Sequence, residues 1–135
     1  MKTAIVTEKA LKKGQIGFAY RAGSREGKDS GWRFLFDDSE DPLDTSNPDK
    51  VYICEMDRLK KYFPSLEYLP RKGVFKRMGV QWIEKETVPT NCQLPRKTKM
   101  NDGMMGWFLT SDPEDMRQLK KQGLKDWELL LPQRG

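Results

Sequence analysis

The stretch Asp29-Ser30-Gly31-Trp32-Arg33-Phe34 decides the fold of this 135-residue chain. From Trp32 onward, aromatic residues alternate with other side chains, which is the period of a β-strand. The earlier stretch Gly17-Phe18-Ala19-Tyr20-Arg21 alternates in the same way, and residues 22–28 between the two have the glycines and polar side chains of a hairpin connection. We therefore predict a β-hairpin with six apolar side chains on one face: Ile16, Phe18, Tyr20, Trp32, Phe34 and Phe36. Because a lone hairpin is marginally stable in water, that face requires a second layer.

Further elements follow the hairpin. Val51–Cys54 has an apolar strand pattern, and residues 80–85 are another strand candidate. Glu55–Phe63 is long enough for two helical turns, which Pro64 would end because the residue before a proline is disfavoured in the helical conformation. The sequence therefore predicts an α+β fold: a twisted, mostly antiparallel β-sheet with one or two short helices packed on one face.

The C-terminal part contains the clearest helix start. Asp112 is a good N-cap residue and Pro113 fits the first helical position, so we predict a helix from there to about Gln122. Residues 127–131 then have the pattern of a closing strand. We predict a single domain over residues 1–135, with a long loop over 87–103 and a strand-helix-strand extension over 104–135.

Composition limits the function classes. Charged residues make up 33% of the chain, and its formal net charge is +5. No apolar run has membrane-spanning length, and the N-terminus lacks the extended apolar stretch of a signal peptide, so a cytoplasmic protein is expected. Cys54 lies in a strand pattern and is expected to be buried, whereas the loop-like surroundings of Cys92 suggest an exposed position. A disulfide between them is not expected in the cytoplasm.

The chain has no histidine, which removes the commonest general base, the catalytic triads that need it and the usual nitrogen ligand of zinc. No glycine-rich phosphate-binding loop is present. A carboxylate-based hydrolase needs two acids in a cleft, and nothing singles out a pair among the twenty acidic residues. The sequence therefore argues against an enzyme, and it indicates no cofactor and no metal.

The strongest charge feature is an acidic run, Asp37-Asp38-Ser39-Glu40-Asp41, which extends to Asp44 and Asp49. Three interpretations are open. The run is a solvated loop, as such runs usually are; or a calcium site, although the glycine of the usual calcium loop is absent; or a patch that binds a basic surface of another protein.

Basic residues are also frequent, and they make a small nucleic-acid-binding module the alternative function. The cations that would carry it are Arg58, Lys60, Lys61, Arg71, Lys72, Lys76 and Arg77. Stacking on bases would need exposed aromatic residues beside these cations, but the aromatic residues follow strand patterns typical of a core.

Two arginines lie inside the predicted hairpin strands. Arg21 and Arg33 are either exposed side chains whose stems cover apolar surface, or one of them forms a buried bidentate contact with Asp29 or another acid. The residues alone leave both interpretations open. Trp32 is interpreted as a core residue.

In order and spacing, the stretches from about Ala4 to Arg77 resemble the immunity protein 33 family of bacterial polymorphic toxin systems. The resemblance covers Gly-Phe-x-Tyr-Arg, the Asp29–Phe34 stretch, the acidic run, the Asn47-Pro48 turn, Val51–Ile53, Pro64-x-Leu66, Tyr68-Leu69 and Gly73-x-Phe75-x-Arg77. One departure is Leu35-Phe36, where the family usually has a glycine before the acids. On this basis residues 1–86 form the family-like region.

The resemblance implies a protein that binds a cognate toxin and neutralises it stoichiometrically, without catalysis. We expect the contact residues to lie mainly in the acidic run, with three others less central: Asp37, Asp38, Glu40, Asp41 and Asp44, then Arg21, Arg25 and Trp107. The sequence identifies neither the toxin nor the oligomeric state.

Overall fold

A computed structural model describes residues 2–22, 29–47, 50–94, 127 and 130–132, and within these residues six strands form one sheet. The strands are β1 (Thr3–Thr7), β2 (Phe18–Arg21), β3 (Asp29–Leu35), β4 (Val51–Glu55), β5 (Val74–Met78) and β6 (Gln81–Lys85), in the spatial order β4-β1-β3-β2-β5-β6. β1 and β3 are parallel, and every other neighbouring pair is antiparallel.

Short helices connect and cover the strands. In the described part of the chain, the α-helices are α1 (Glu8–Lys13), the single turn α2 (Pro42–Thr45) and α3 (Met56–Tyr62), and 3₁₀ helices span Pro64–Tyr68 and Thr90–Cys92. The predicted α+β class is confirmed. The strands expected after the hairpin and the helix ending before Pro64 are also present, within a few residues of the predicted bounds. Among the helices of the described part, none has the length and apolar character needed to cross a bilayer.

The hairpin pairs in a register that differs from the prediction. Phe18 pairs with Leu35 and Tyr20 with Arg33, whereas Trp32 pairs with Arg21. Residues directly opposite each other in an antiparallel pair share a face. Phe18 and Tyr20 therefore lie on the face opposite to Trp32, and the prediction of one shared aromatic face is wrong. Both faces of the hairpin are buried, so alternation does not distinguish an inner from an outer side.

Each face of the sheet has its own apolar core. The helix-covered face packs against α1, α3 and the Pro64–Tyr68 helix, and its buried strand residues are Ala4, Val6, Ala19, Trp32, Phe34, Cys54 and Phe75. The loop-covered face holds Ile5, Phe18, Tyr20, Leu35, Val51 and Ile53, and Cys92 and Leu94 pack against it. The Leu94 N–H donates to the Tyr20 hydroxyl oxygen at 2.8 Å, which fixes the covering segment to the sheet.

The N-terminal strand and helix are elements that sequence reasoning missed. All five residues of β1 are buried between β3 and β4. α1 begins directly afterwards, where the Thr7 hydroxyl accepts a hydrogen bond from the Ala10 N–H, and it ends at Gly14, whose φ of 65° suits glycine. The apolar run of β1 is short and does not alternate, so it carries no clear strand period.

Several C-terminal predictions lie outside the described residues, among them the helix after Asp112 and the end of the 87–103 loop. The closing strand is not seen at the described positions, because Trp127 and Leu130 have 3₁₀ backbone rather than extended backbone. Trp127 is buried on the helix-covered face, and its indole N–H donates to Glu55 Oε2 at 3.4 Å. The division of the chain into loop and extension stays a prediction.

Candidate partner-binding site at the acidic loop

The acidic loop, residues 37–44, follows β3, and Phe36 alone lies between them. The chain just before the loop packs against Gly17, whose N–H donates to the Leu35 carbonyl at 3.0 Å. Only glycine fits there, because a Cβ at Gly17 would clash with the Phe36 carbonyl oxygen. Its last residues form most of α2, where Asp41 Oδ1 accepts from the Leu43 N–H at 2.9 Å and Pro42 occupies the first turn. An aspartate cap followed by proline is the favoured start of a helix, which explains the turn at this point.

Glu40 is the interior residue of the loop. Its side chain is buried, with 2% exposed, and its Oε2 accepts from the Thr7 hydroxyl at 2.8 Å and from the Phe36 N–H at 2.7 Å. The same Thr7 hydroxyl caps α1. Burial raises the pKa of Glu40, and the two hydrogen bonds and the charge of Lys9 oppose that rise only in part. Glu40 therefore ties the loop to the junction of β1 and α1.

The Thr90–Cys92 helix holds the loop from the other side. The Asn91 side-chain amide donates to the carbonyls of Asp38 and Glu40 at 3.0 and 2.9 Å. In return, the Thr45 hydroxyl donates to the Asn91 carbonyl at 2.6 Å. Hydrogen bonds therefore anchor the backbone of the loop on both sides.

Cys92 lies under this loop, and the predicted exposure is wrong. Its side chain is fully buried, and its thiol donates to the Asp38 carbonyl at 3.5 Å. Burial, together with the negative charges of Asp38, Glu40 and Asp37, raises the pKa of Cys92 to about 12. The thiol is therefore protonated at neutral pH, which makes it a poor nucleophile. Cys54 is buried as expected, and neither cysteine forms a disulfide.

The remaining acids of the loop face outward to different degrees. Asp37 accepts from the Ser39 N–H and hydroxyl, both at 2.9 Å, and Asp38 forms an ion pair with Lys76 at 3.3 Å. Asp41 and Asp44 are exposed. Among the described residues, no group of three or more Cys, Asp or Glu side chains is arranged to hold a metal ion.

Leu43 lies between the exposed acids, and sequence reasoning did not single it out. Its side chain is 78% exposed, although a leucine normally gains by burial. The available signal was an apolar residue inside an acidic run, directly after the proline that starts a helical turn. The outer surface of the loop therefore combines carboxylates with one apolar side chain.

Of the other expected contact residues, Arg21 lies near the opposite end of β3 from the loop. It is half-buried, and its guanidinium donates to the Ser30 carbonyl at 3.0 Å and to the Arg71 carbonyl at 2.6 Å. Arg25 and Trp107 lie outside the described residues. Arg21 is thus engaged in joining β2 to β3 and to the chain before β5.

Arg33 forms the buried bidentate contact that the sequence left open. Its two terminal nitrogens donate to the two carboxylate oxygens of Asp29, each at 2.9 Å, and both side chains are almost fully buried. Asp29 also accepts from the Gly31 N–H at 2.7 Å. The start of the Asp29–Phe34 stretch is therefore an internal brace, and Trp32, stacked on Phe34 with ring centroids 5.9 Å apart, is part of the core.

The two basic residues of β5 do not share one surface. Lys76 and Arg77 are adjacent in β5, and adjacent strand residues point to opposite faces. Lys76 contacts Asp38, whereas Arg77 donates to the Ser65 hydroxyl at 3.3 Å. Two aromatic side chains, Tyr62 and Tyr68, are exposed; Tyr62 shares α3 with Arg58, Lys60 and Lys61, and its ring packs edge-on against Trp127 with 6.0 Å between the ring centroids. This arrangement does not favour a nucleic-acid site.

Comparison with known proteins adds one finding. The family model of the immunity protein Imm33 domain matches residues 4–77, which is more than half of the chain. The match runs from β1 into β5 and includes the Asp29–Arg33 brace and the whole acidic loop. No curated protein and no solved structure matches the chain.

Proposed function

The chain belongs to the immunity protein Imm33 family, and we propose that it neutralises one cognate bacterial toxin by forming a stoichiometric complex through its acidic loop. A role in toxin immunity, with a toxin as partner, comes with the family. The proposal adds the mechanism: the chain binds the toxin in the cytoplasm, covers a surface that the toxin needs and performs no catalysis of its own.

The anchoring of the loop is the observation that carries this proposal. Buried Glu40 on one side and Asn91 on the other hold the backbone, while Asp41, Leu43 and Asp44 face solvent. A surface that is already ordered loses little conformational entropy when it binds, so more of its contact energy appears as affinity. An ordered, outward-facing loop is therefore well suited to bind a partner.

The chemistry of the loop indicates what its partner presents. Carboxylates attract a basic surface, speed the encounter and disfavour acidic partners. Leu43 is an apolar side chain at the centre of these charges, and such a side chain gains most when a pocket on the partner removes it from water. We expect the toxin surface to be basic, with an apolar depression that receives Leu43.

The acids of the loop have different roles in this proposal. Asp37, Asp41 and Asp44 are contact residues, and Asp38 contacts the partner once Lys76 is shared or displaced. Glu40 is a positioning residue, because its carboxylate is occupied by Thr7 and Phe36.

Co-expression with the product of the neighbouring toxin gene tests the proposal. We expect rescue of growth and a 1:1 complex of the purified proteins in calorimetry. Changing Asp41 and Asp44 together to lysine should lower the affinity at least about tenfold, mainly through slower association at low salt.

The matched control changes two exposed acids elsewhere, Asp57 and Glu67, to lysine, with the same change in net charge. This variant should keep most of the affinity. Absence of both complex and rescue would reject toxin binding altogether, whereas equal losses in the two variants would reject only the acidic loop as the contact surface. Asp41 also caps α2, so its replacement removes that cap. Circular dichroism is therefore used to check that the loop variant is still folded.

A further inference from the structure

Exposed apolar side chains are concentrated at one end of the sheet. Among the described residues, six large apolar side chains are exposed, and three of them belong to the six-residue stretch 78–83. Met78 is 58% exposed, Val80 is 85% exposed and Ile83 is 40% exposed. Large exposed apolar side chains that cluster in one short segment are a feature of interaction surfaces.

The same stretch contains an edge strand. β6 is the last strand in the sheet order and pairs with β5 on its inner side. Within the part of the chain that the structure describes, no strand pairs with its outer side. Unpaired N–H and C=O groups on a sheet edge are a template for another strand.

Hydrogen bonds to the Pro64–Tyr68 helix hold the β5–β6 pair in place. The Trp82 indole N–H donates to the Ser65 carbonyl at 2.8 Å, and Arg77 donates to the Ser65 hydroxyl. These bonds attach the helix-covered face of the β5–β6 pair to the Pro64–Tyr68 helix. On the other face, Met78 pairs with Gln81 and Lys76 with Ile83, and the Met78 and Ile83 side chains stay exposed there.

We propose that β6 pairs with β6 of a second copy of this chain, antiparallel and about a twofold axis at Ile83. Ile83 is the middle residue of the strand, so this register pairs all five residues. It places Ile83 opposite Ile83 of the partner subunit, Gln81 opposite Lys85 of the partner subunit and Trp82 opposite Glu84 of the partner subunit.

Charge makes this register self-complementary. No two like charges face each other in it, and each Lys85 faces the Gln81 side chain of the partner subunit, whose amide oxygen can accept a hydrogen bond from the ammonium group. A shift of the axis by one residue to Glu84 would place the two Glu84 carboxylates against each other, which is destabilising. The two Ile83 side chains would cover each other at the centre, next to Met78 on the same face.

The contact is small. A five-residue edge with a few apolar side chains buries less than the ~1,200–2,000 Å² of a stable interface. We therefore expect a reversible dimer with a dissociation constant between about 1 µM and 1 mM. This inference is independent of toxin binding, because the acidic loop follows β3 and takes no part in the edge.

Sedimentation velocity of the full chain over this concentration range tests the dimer. The wild type should shift from monomer to dimer as its concentration rises. Changing Ile83 to lysine should weaken the dimer more than about tenfold, because two cations would then meet on the axis.

A matched pair of variants at one position tests the register. Changing Gln81 to glutamate places a carboxylate opposite Lys85 of the partner subunit, twice per dimer, and should tighten the dimer by about 3-fold to 10-fold. Changing Gln81 to lysine should weaken it by a similar factor. Gln81 is exposed, so both variants should unfold at the temperature of the wild type.

Two results would overturn the proposal. One is a wild type that stays monomeric up to about 1 mM. Hydrogen exchange would then show the reason if the β6 amides are protected at every concentration, because the chain's own residues would cover the edge. The other is a dimer that responds to neither the Ile83 nor the Gln81 changes. A monomer that still rescues growth from the toxin would reject the dimer alone and leave toxin binding in place.

Discussion

The two ends of β3 use carboxylates in opposite ways. At its start, Asp29 is buried and its charge is matched by Arg33. After its end, the acidic loop places one carboxylate inside, that of Glu40, and exposes Asp41 and Asp44. At the start of β3, Asp29 stabilises the fold through its buried ion pair. In the acidic loop, Glu40 anchors the backbone, and Asp41 and Asp44 remain accessible to solvent. Neighbouring acids in one sequence can therefore differ in role, one being part of the internal structure while others stay accessible at the surface.

The largest expected effect comes from breaking the Asp29–Arg33 brace. Changing Asp29 to alanine removes the carboxylate that balances the buried charge of Arg33, which should cost about 3–5 kcal/mol of unfolding free energy. Changing Asp29 to alanine and Arg33 to methionine together should recover part of that loss, because no buried charge then remains. Urea unfolding followed by circular dichroism measures both. A single variant that loses less than about 1 kcal/mol would show that water reaches the pair.

An intermediate effect is expected for Glu40. Changing it to alanine leaves the Thr7 hydroxyl and the Phe36 N–H without their acceptor, which should cost about 1–3 kcal/mol. Changing exposed Asp44 to alanine is the control and should alter stability by less than about 0.5 kcal/mol. Equal effects at the two positions would remove the distinction between the interior acid and the exposed ones.

The pH dependence of Glu40 sharpens the same prediction. Because burial raises its pKa in the folded state, folding favours the protonated form. Its contribution to stability is therefore complete below the pKa of the unfolded chain, about 4.3, and declines as the pH rises through the higher folded value. Between pH 4 and pH 7, the unfolding free energy of the wild type should therefore decrease relative to that of a Glu40→Gln variant. A relative increase would contradict the assigned direction.

The smallest effect is expected at the Asp38–Lys76 pair. Both side chains are about one-third exposed, and exposed ion pairs contribute about 0–1 kcal/mol. A double-mutant cycle with both residues changed to alanine measures their coupling, which should decrease further at high salt. A coupling as large as that of the Asp29–Arg33 pair would mean that the acidic loop is held by its exposed charges as well as by Glu40.

The sequence predicted the elements of this fold better than their packing. The hairpin strands, the Val51–Cys54 strand and the helix before Pro64 each have a local signal. The relative orientation of Phe18 and Trp32 does not, because it depends on a register between two strands that are buried on both faces. β1 was missed for a related reason: a short strand buried on both sides shows no alternation.

The site was predictable only as a segment. Charge marked the acidic run, but nothing local distinguishes Glu40 from Asp41, since the difference arises from a contact with Thr7, thirty-three residues away. The burial of Cys92 likewise depends on Asp38 and Asn91, which fold over it through long-range contacts. For Arg33 the sequence left two interpretations open, an exposed side chain or a buried contact with an acid, because no local signal shows that Asp29 is buried.

The Thr7–Glu40 hydrogen bond has a consequence for how such a protein can diverge. Since Glu40 and Asn91 anchor the loop, the exposed side chains of Leu43 and Asp44 are not needed to hold it. Substitutions at Leu43 or Asp44 can then accumulate with little cost in stability, and each changes the shape or charge presented to a partner. A gene copy could in this way acquire a new specificity by a few surface changes while the scaffold that folds it stays the same.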